Sequence, residues 1–114
     1  MTPSISTRHR IRDLNDQFRS SFSSARGQWL LTCGVQSMGS DFIALAVREV
    51  RNFDDFSSAN DPHGEHDFGV ISVIGERLFW KIDYYDPSLT RASPDPADPA
   101  RTKRVLTLML AAEY

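Results

Sequence analysis

Histidines and carboxylates crowd one short stretch of the chain, Asp61-Pro62-His63-Gly64-Glu65-His66-Asp67. It leads directly into the run Phe68 to Ile74. A second run, Arg77 to Tyr84, leaves through Asp83-Tyr84-Tyr85-Asp86. The two runs read as strands of a β-hairpin, and Gly75-Glu76 between them suits a two-residue type II′ turn. That turn places Ile74 opposite Arg77, Ile71 opposite Trp80 and Gly69 opposite Ile82. Extended, it sets His66 opposite Tyr85 and Asp67 opposite Tyr84. His66 and Asp83 then lie diagonally on one face, roughly 7–8 Å apart.

An imidazole beside a carboxylate is the usual general-base arrangement. Histidine with carboxylates also suits a divalent metal, so His66, Asp67 and Asp83 form a candidate set for metal-dependent hydrolysis or nuclease chemistry. Glu65 and Asp86 could add to it only if the loop folds back. The spacing is not that of a known metal motif. His63 and His66 stand three apart, not four, and Pro62 and Gly64 oppose a helix, so the zincin pattern fails. Asp54 to Asp67 does not match a calcium loop. The alternative role is architectural: His66 and Asp67 bond to backbone and order the loop that enters the sheet. No Gly-rich phosphate loop and no nucleophile elbow is present, and no cofactor is expected.

The hairpin alternation predicts two unlike faces. One carries Gly69, Ile71, Val73, Leu78, Trp80, Ile82 and Tyr84, apolar throughout. The other carries Phe68, Val70, Ser72, Phe79, Lys81, Asp83 and Tyr85. Trp80 and Tyr84 belong to the core face. Phe79 and Tyr85, beside Lys81, mark a binding surface if no helix covers them.

The remaining elements must position this hairpin. Residues 1–6 read as a tail, and 7–114 as one domain. Ile11, Leu14, Phe18 and Phe22 are spaced 3, 4 and 4 apart, which predicts a helix from about Thr7 to Phe22. Gln28 to Cys33 is a short apolar run between Gly27 and Gly34 and reads as a strand, with Cys33 a buried small hydrophobe. Ser40 can cap a second helix, whose Phe42, Leu45, Ala46, Val50 and Phe53 share a face. Residues 57–64 have loop chemistry. Four prolines, Pro87, Pro94, Pro96 and Pro99, make residues 86–99 an irregular loop. Asp98 and Pro99 suit a helix start, whereas Val105 to Leu110 suits a buried strand; a short turn at 98–103 followed by a strand reconciles them. The expected fold is α+β, with two helices on one face of a small antiparallel sheet centred on the 68–84 hairpin.

The chain has 114 residues, 40% of them hydrophobic and 25% charged. These are globular proportions and exclude a wholly disordered chain. No apolar run approaches the roughly 20 residues of a membrane span, and the first twelve residues lack the apolar core of a secretory signal. A single cysteine precludes an internal disulfide and leaves the cytoplasm as the expected compartment. The net charge of −2 selects no partner class, but its distribution is uneven. Residues 1–53 hold seven arginines against four acidic residues, and residues 54–114 hold six basic against eleven acidic. A basic face in the first half would permit nucleic-acid binding, with affinity falling steeply in salt.

Several stretches together resemble one family. They are Phe53-Asp54-Asp55-Phe56, the run Asn60 to Gly69, the run Phe79 to Asp86, and Arg104-Val105-Leu106-Thr107 with Glu113-Tyr114. They resemble small bacterial proteins catalogued as a domain of unknown function, over nearly the whole chain from about Ile11. The resemblance implies a bacterial cytosolic protein carried on plasmids and other mobile elements. It implies no activity, and no catalytic residue is carried over. Small proteins of such elements often block host defences by binding a nuclease complex. The expected function is therefore a non-enzymatic protein-binding module, an inhibitor of a host defence complex. Its expected contact residues are His63, Glu65, His66, Asp67, Phe79, Lys81, Asp83, Tyr85 and Asp86. The metal-dependent hydrolase and the nucleic-acid-binding protein are the alternatives.

Overall fold

Ile11, Leu14 and Phe18 recur at helical spacing, and all three are buried on helix α1, Ile5–Ser21. The computed structural model describes residues 5–21 and 27–114, so the expected fourth apolar position, Phe22, lies outside the described residues. Helix α1 begins two residues earlier than expected, at the end of the supposed tail. Strand β1, Gly27–Leu31, follows.

The run expected to continue this strand to Cys33 turns instead at Thr32. Its hydroxyl accepts from the Val35 amide at 3.4 Å and caps a one-turn helix α2, Cys33–Ser37. Cys33 is consequently exposed in the first turn and not a core residue. Helix α3, Ser40–Arg51, starts one residue after Gly39, whose φ of 93° only glycine adopts readily. Its residues Phe42, Ala46 and Val50 are buried. A long loop then leads to β2, Phe68–Val73, and β3, Glu76–Tyr85. A 3₁₀ turn, Pro99–Arg101, capped by Asp98, precedes β4, Lys103–Leu110, so both signals in this segment are realised.

The four strands form one sheet in the order β1-β4-β3-β2. The class is α+β, as expected, but the sheet is mixed. Strand β1 runs parallel to β4, with Trp29 beside Leu106 and Leu31 beside Leu108. The other pairs are antiparallel. Three helices are present among the described residues where two were expected, because Thr32 supplies an extra cap.

The hairpin pairs Val73 with Glu76, Ile71 with Leu78 and Gly69 with Trp80. The turn is Ile74-Gly75, with φ of 50° and 79°, which is a type I′ pattern and not Gly75-Glu76. The register therefore differs from expectation by two residues. Side chains alternate with a period of two, so every residue keeps its expected face. The physical reason lies at Gly69. The Trp80 indole lies against it, and a β-carbon there would overlap the ring. Only this register gives Trp80 a partner without a side chain.

Ile71, Val73, Leu78, Trp80 and Ile82 form the core with Leu106 and Leu108 of β4, Phe18 of α1, Val35 of α2, and Phe42, Ala46 and Val50 of α3. All three helices thus cover one face of the sheet. The other face keeps Phe68, Phe79, Lys81, Asp83 and Tyr85 partly exposed. Among the described residues, no helix is long and apolar enough to cross a membrane.

Candidate functional site

A seam of polar groups runs where α1 and the 57–67 loop meet the sheet. On α1, Asn15 and Arg19 face inward four residues apart and are buried with Phe18. Asn15 Oδ1 accepts from Arg104 Nε at 2.6 Å, and its Nδ2 donates to the Glu65 carbonyl and to Tyr84 Oη, both at 2.9 Å. Tyr84 Oη donates in turn to the Glu65 carboxylate at 2.9 Å. The Arg104 guanidinium lies 5.3 Å from the Tyr84 ring centre and donates to the Pro96 carbonyl. Burial, above all, pushes the Tyr84 phenol far above its ordinary range, with Glu65 and Asp67 adding negative charge nearby. The phenol therefore serves as a fixed donor.

The second half of the seam centres on His66. Its Nδ1 lies 2.9 and 3.1 Å from the two oxygens of Asp16. An ionised carboxylate only accepts, so this nitrogen carries the proton. The ring stacks on Phe56 at 3.7 Å, with 3° between planes. Asp16 also accepts from Arg19 at 3.1 Å, and Arg19 donates to the carbonyls of Val50 and Arg51. Burial lowers the pKa of Arg19, and Asp16 opposes that shift. The guanidinium lies 5.2 Å from the Trp80 ring centre, which ties the seam to the core. Asp61, itself buried, accepts from the amides of Glu65 and His66 at 3.1 and 3.2 Å.

An imidazole beside a carboxylate is therefore present, but its partner is Asp16 on α1 and not Asp83. His66 has φ of 56° and turns out of the strand direction. The expected extension of the hairpin ends at Asp67, whose carbonyl accepts from Ile82 and not from Tyr84. Asp83 pairs with Lys81 at 3.2 Å. No hydrogen bond or ion pair joins His66, Asp67 and Asp83. Among the described residues, no group of three or more His, Cys, Asp or Glu side chains is placed to hold a metal ion.

The nine expected contact residues are divided between three places. Glu65 and His66 turn inward to α1, while His63 lines an open cleft beside them. Asp67 is half-buried, and burial followed by the charge of Glu65 raises its pKa. Phe79, Lys81, Asp83 and Tyr85 lie on the uncovered sheet face. Asp86 shapes the next loop by accepting from Ser88, Thr90 and Arg91, and the Ser88 hydroxyl leads in lowering its pKa.

Sequence reading missed Asn15, Asp16, Arg19 and Arg104. One signal was available, since Asn15 and Arg19 share the helical stripe of Ile11, Leu14 and Phe18. Polar residues on a core stripe call for buried partners.

On the uncovered face, Phe79 packs on Phe68 and edge-on against Tyr114, with ring centres 5.7 and 5.1 Å apart. At the other end of β3 and toward β1, Gln28, Leu30, Tyr85, Leu89 and Val105 line a groove of 200 Å³. Leu30 is 47% exposed and Val70 38%. Val105 and Met109 of β4 are buried on this face, and Gln28, Lys81, Asp83 and Thr107 add polar groups to it.

Residues 31–113 match the family described as protein of unknown function DUF3768, and the chain belongs to it. The match begins at the end of β1, later than the resemblance from Ile11 implied. Helix α1, with its half of the polar seam, lies outside it. Neither a curated protein nor a solved structure matches the chain.

Proposed function

We propose that this chain is a non-enzymatic protein-binding module. Its contact surface is the uncovered sheet face with Phe79, Lys81, Asp83 and Tyr85. One observation carries this reading: the three α-helices cover one face of the sheet, and the other, although Val105 and Met109 are buried on it, keeps an aromatic cluster and an apolar groove partly exposed. The inward ties of Glu65, His66 and Asp61 support an architectural role for the 61–67 cluster, because these groups hold the loop to α1. The resemblance to proteins of plasmids and mobile elements points to a host defence complex in the bacterial cytoplasm as the partner.

The test is capture from host lysate with the immobilised protein, compared with Asp83→Lys and Tyr85→Ala. Both positions are partly exposed, so both variants are expected to melt close to the parent. Loss of a specifically captured protein in both variants is the expected outcome. Undiminished capture by two folded variants would refute the placement.

A further inference from the structure

A cleft of 420 Å³ opens between the first turns of α1 and the 57–67 loop, on a different part of the molecule from the uncovered sheet face. Five of the ten residues lining it are basic: Arg8, His9 and Arg12 from the helix, and His63 and His66 from the loop. Arg8 and Arg12 stand one turn apart on the same side of α1. Like charges at this spacing disfavour a helix, so their pairing here is not explained by helix stability. The state of the hydrogen-bonding groups is more telling. The carboxylates at the cleft are engaged: Asp61 on the amides of Glu65 and His66, and neighbouring Asp16 on Arg19 and His66. Arg12 has one surface ion pair, with Asp13. Arg8, His9 and His63 have no hydrogen-bond or ion-pair partner among the described residues. The cleft therefore presents the free donors and positive charge of Arg8 and Arg12, while the acceptor oxygens of Asp61 are taken up by backbone amides, although that carboxylate keeps its charge.

We infer that this cleft binds a phosphate group carried on an organic body of nucleotide size. The forked guanidiniums of Arg8 and Arg12 suit a phosphate, which accepts paired N–H bonds. The volume lies within the range of about 300–1,000 Å³ typical of small-molecule sites and exceeds what a free phosphate fills. The imidazoles of His9 and His63, with Pro62, would flank the organic part.

Calorimetric titration of the full chain with a 5′-mononucleotide, the corresponding nucleoside and inorganic phosphate tests this inference. The mononucleotide is expected to bind at least tenfold more tightly than the nucleoside and more tightly than inorganic phosphate. The double variant Arg8→Gln/Arg12→Gln should lose tenfold or more of that affinity, and Arg91→Gln, outside the cleft, none. A variant that fails to melt cooperatively is replaced by Arg8→Gln alone, since Arg8 has no hydrogen-bond or ion-pair partner to lose among the described residues. Equal binding of nucleotide and nucleoside, no binding of either, or unchanged affinity in the arginine variant would overturn the inference. Binding of a short oligonucleotide without binding of the mononucleotide would also overturn it.

Discussion

At the scale of single residues, the polar groups of the seam are fasteners between α1, the loop and the sheet. Asp67 next to it behaves differently, because its carboxylate is disfavoured where it sits. Burial and the charge of Glu65 raise its pKa in the folded chain above the unfolded value of about 3.9. Between those two values the native state binds more protons than the unfolded state, so this group makes stability fall as pH rises. Below the unfolded value the effect vanishes. Asp67→Asn is therefore expected to melt higher than the parent at pH 7 and equally at pH 3. Thermal melts at the two pH values check this, and a lower melting temperature at pH 7 would refute it. His66 was legible as half of an imidazole–carboxylate pair. Its partner was not, because Asp16 lies 50 residues away on an element whose docking no local signal specifies.

At the scale of elements, the hairpin shows how packing overrides turn preference. A type I′ turn favours Asn-Gly, yet position 74 is isoleucine with φ of 50°. A β-branched residue in this region is strained by about 1–3 kcal/mol. Ile74 is 75% exposed, so little packing offsets that strain. Ile74→Asn should stabilise the chain by about 1 kcal/mol, seen as a melting temperature roughly 4 °C higher. A decrease would show that the turn does not adopt this geometry. The same element illustrates what alternation can reveal. The residues of each face followed from period-two patterning, while the pairing offset depended on the fit of Trp80 over Gly69.

At the scale of the whole molecule, helix α1 is the element on which the rest depends. Ile11, Leu14 and Phe18 are buried against the other layers, and Asn15 satisfies the buried Arg104 guanidinium. Yet the family match begins at residue 31, after this helix. Removing residues 1–21 uncovers the part of the sheet's helix-facing side that α2 and α3 do not cover and leaves Arg104 and Tyr84 without Asn15. The loss of an inward partner of a charged group alone costs about 3 kcal/mol, a large part of a small domain's stability. The truncated chain is expected to lack a cooperative thermal transition and to bind hydrophobic dyes. A sharp melt near that of the parent would show that residues 22–114 fold alone. A protein with one helical layer also keeps a second, partly exposed sheet face, the surface proposed for partner binding.

Local periodicity determined much of this architecture: the stripe of α1, the face of α3, the two hairpin faces, and the turn followed by a strand near the C-terminus. Each arises from the geometry of one element, which residues a few positions apart can express. Tertiary structure decided what joins distant elements. It set β1 parallel to β4, used Thr32 to end a strand and start a helix, and fixed the hairpin offset on Trp80. It also turned His66 toward Asp16 instead of Asp83. These outcomes depend on which buried groups find volume and hydrogen-bond partners across the chain, and that complementarity exists only once the layers have come together.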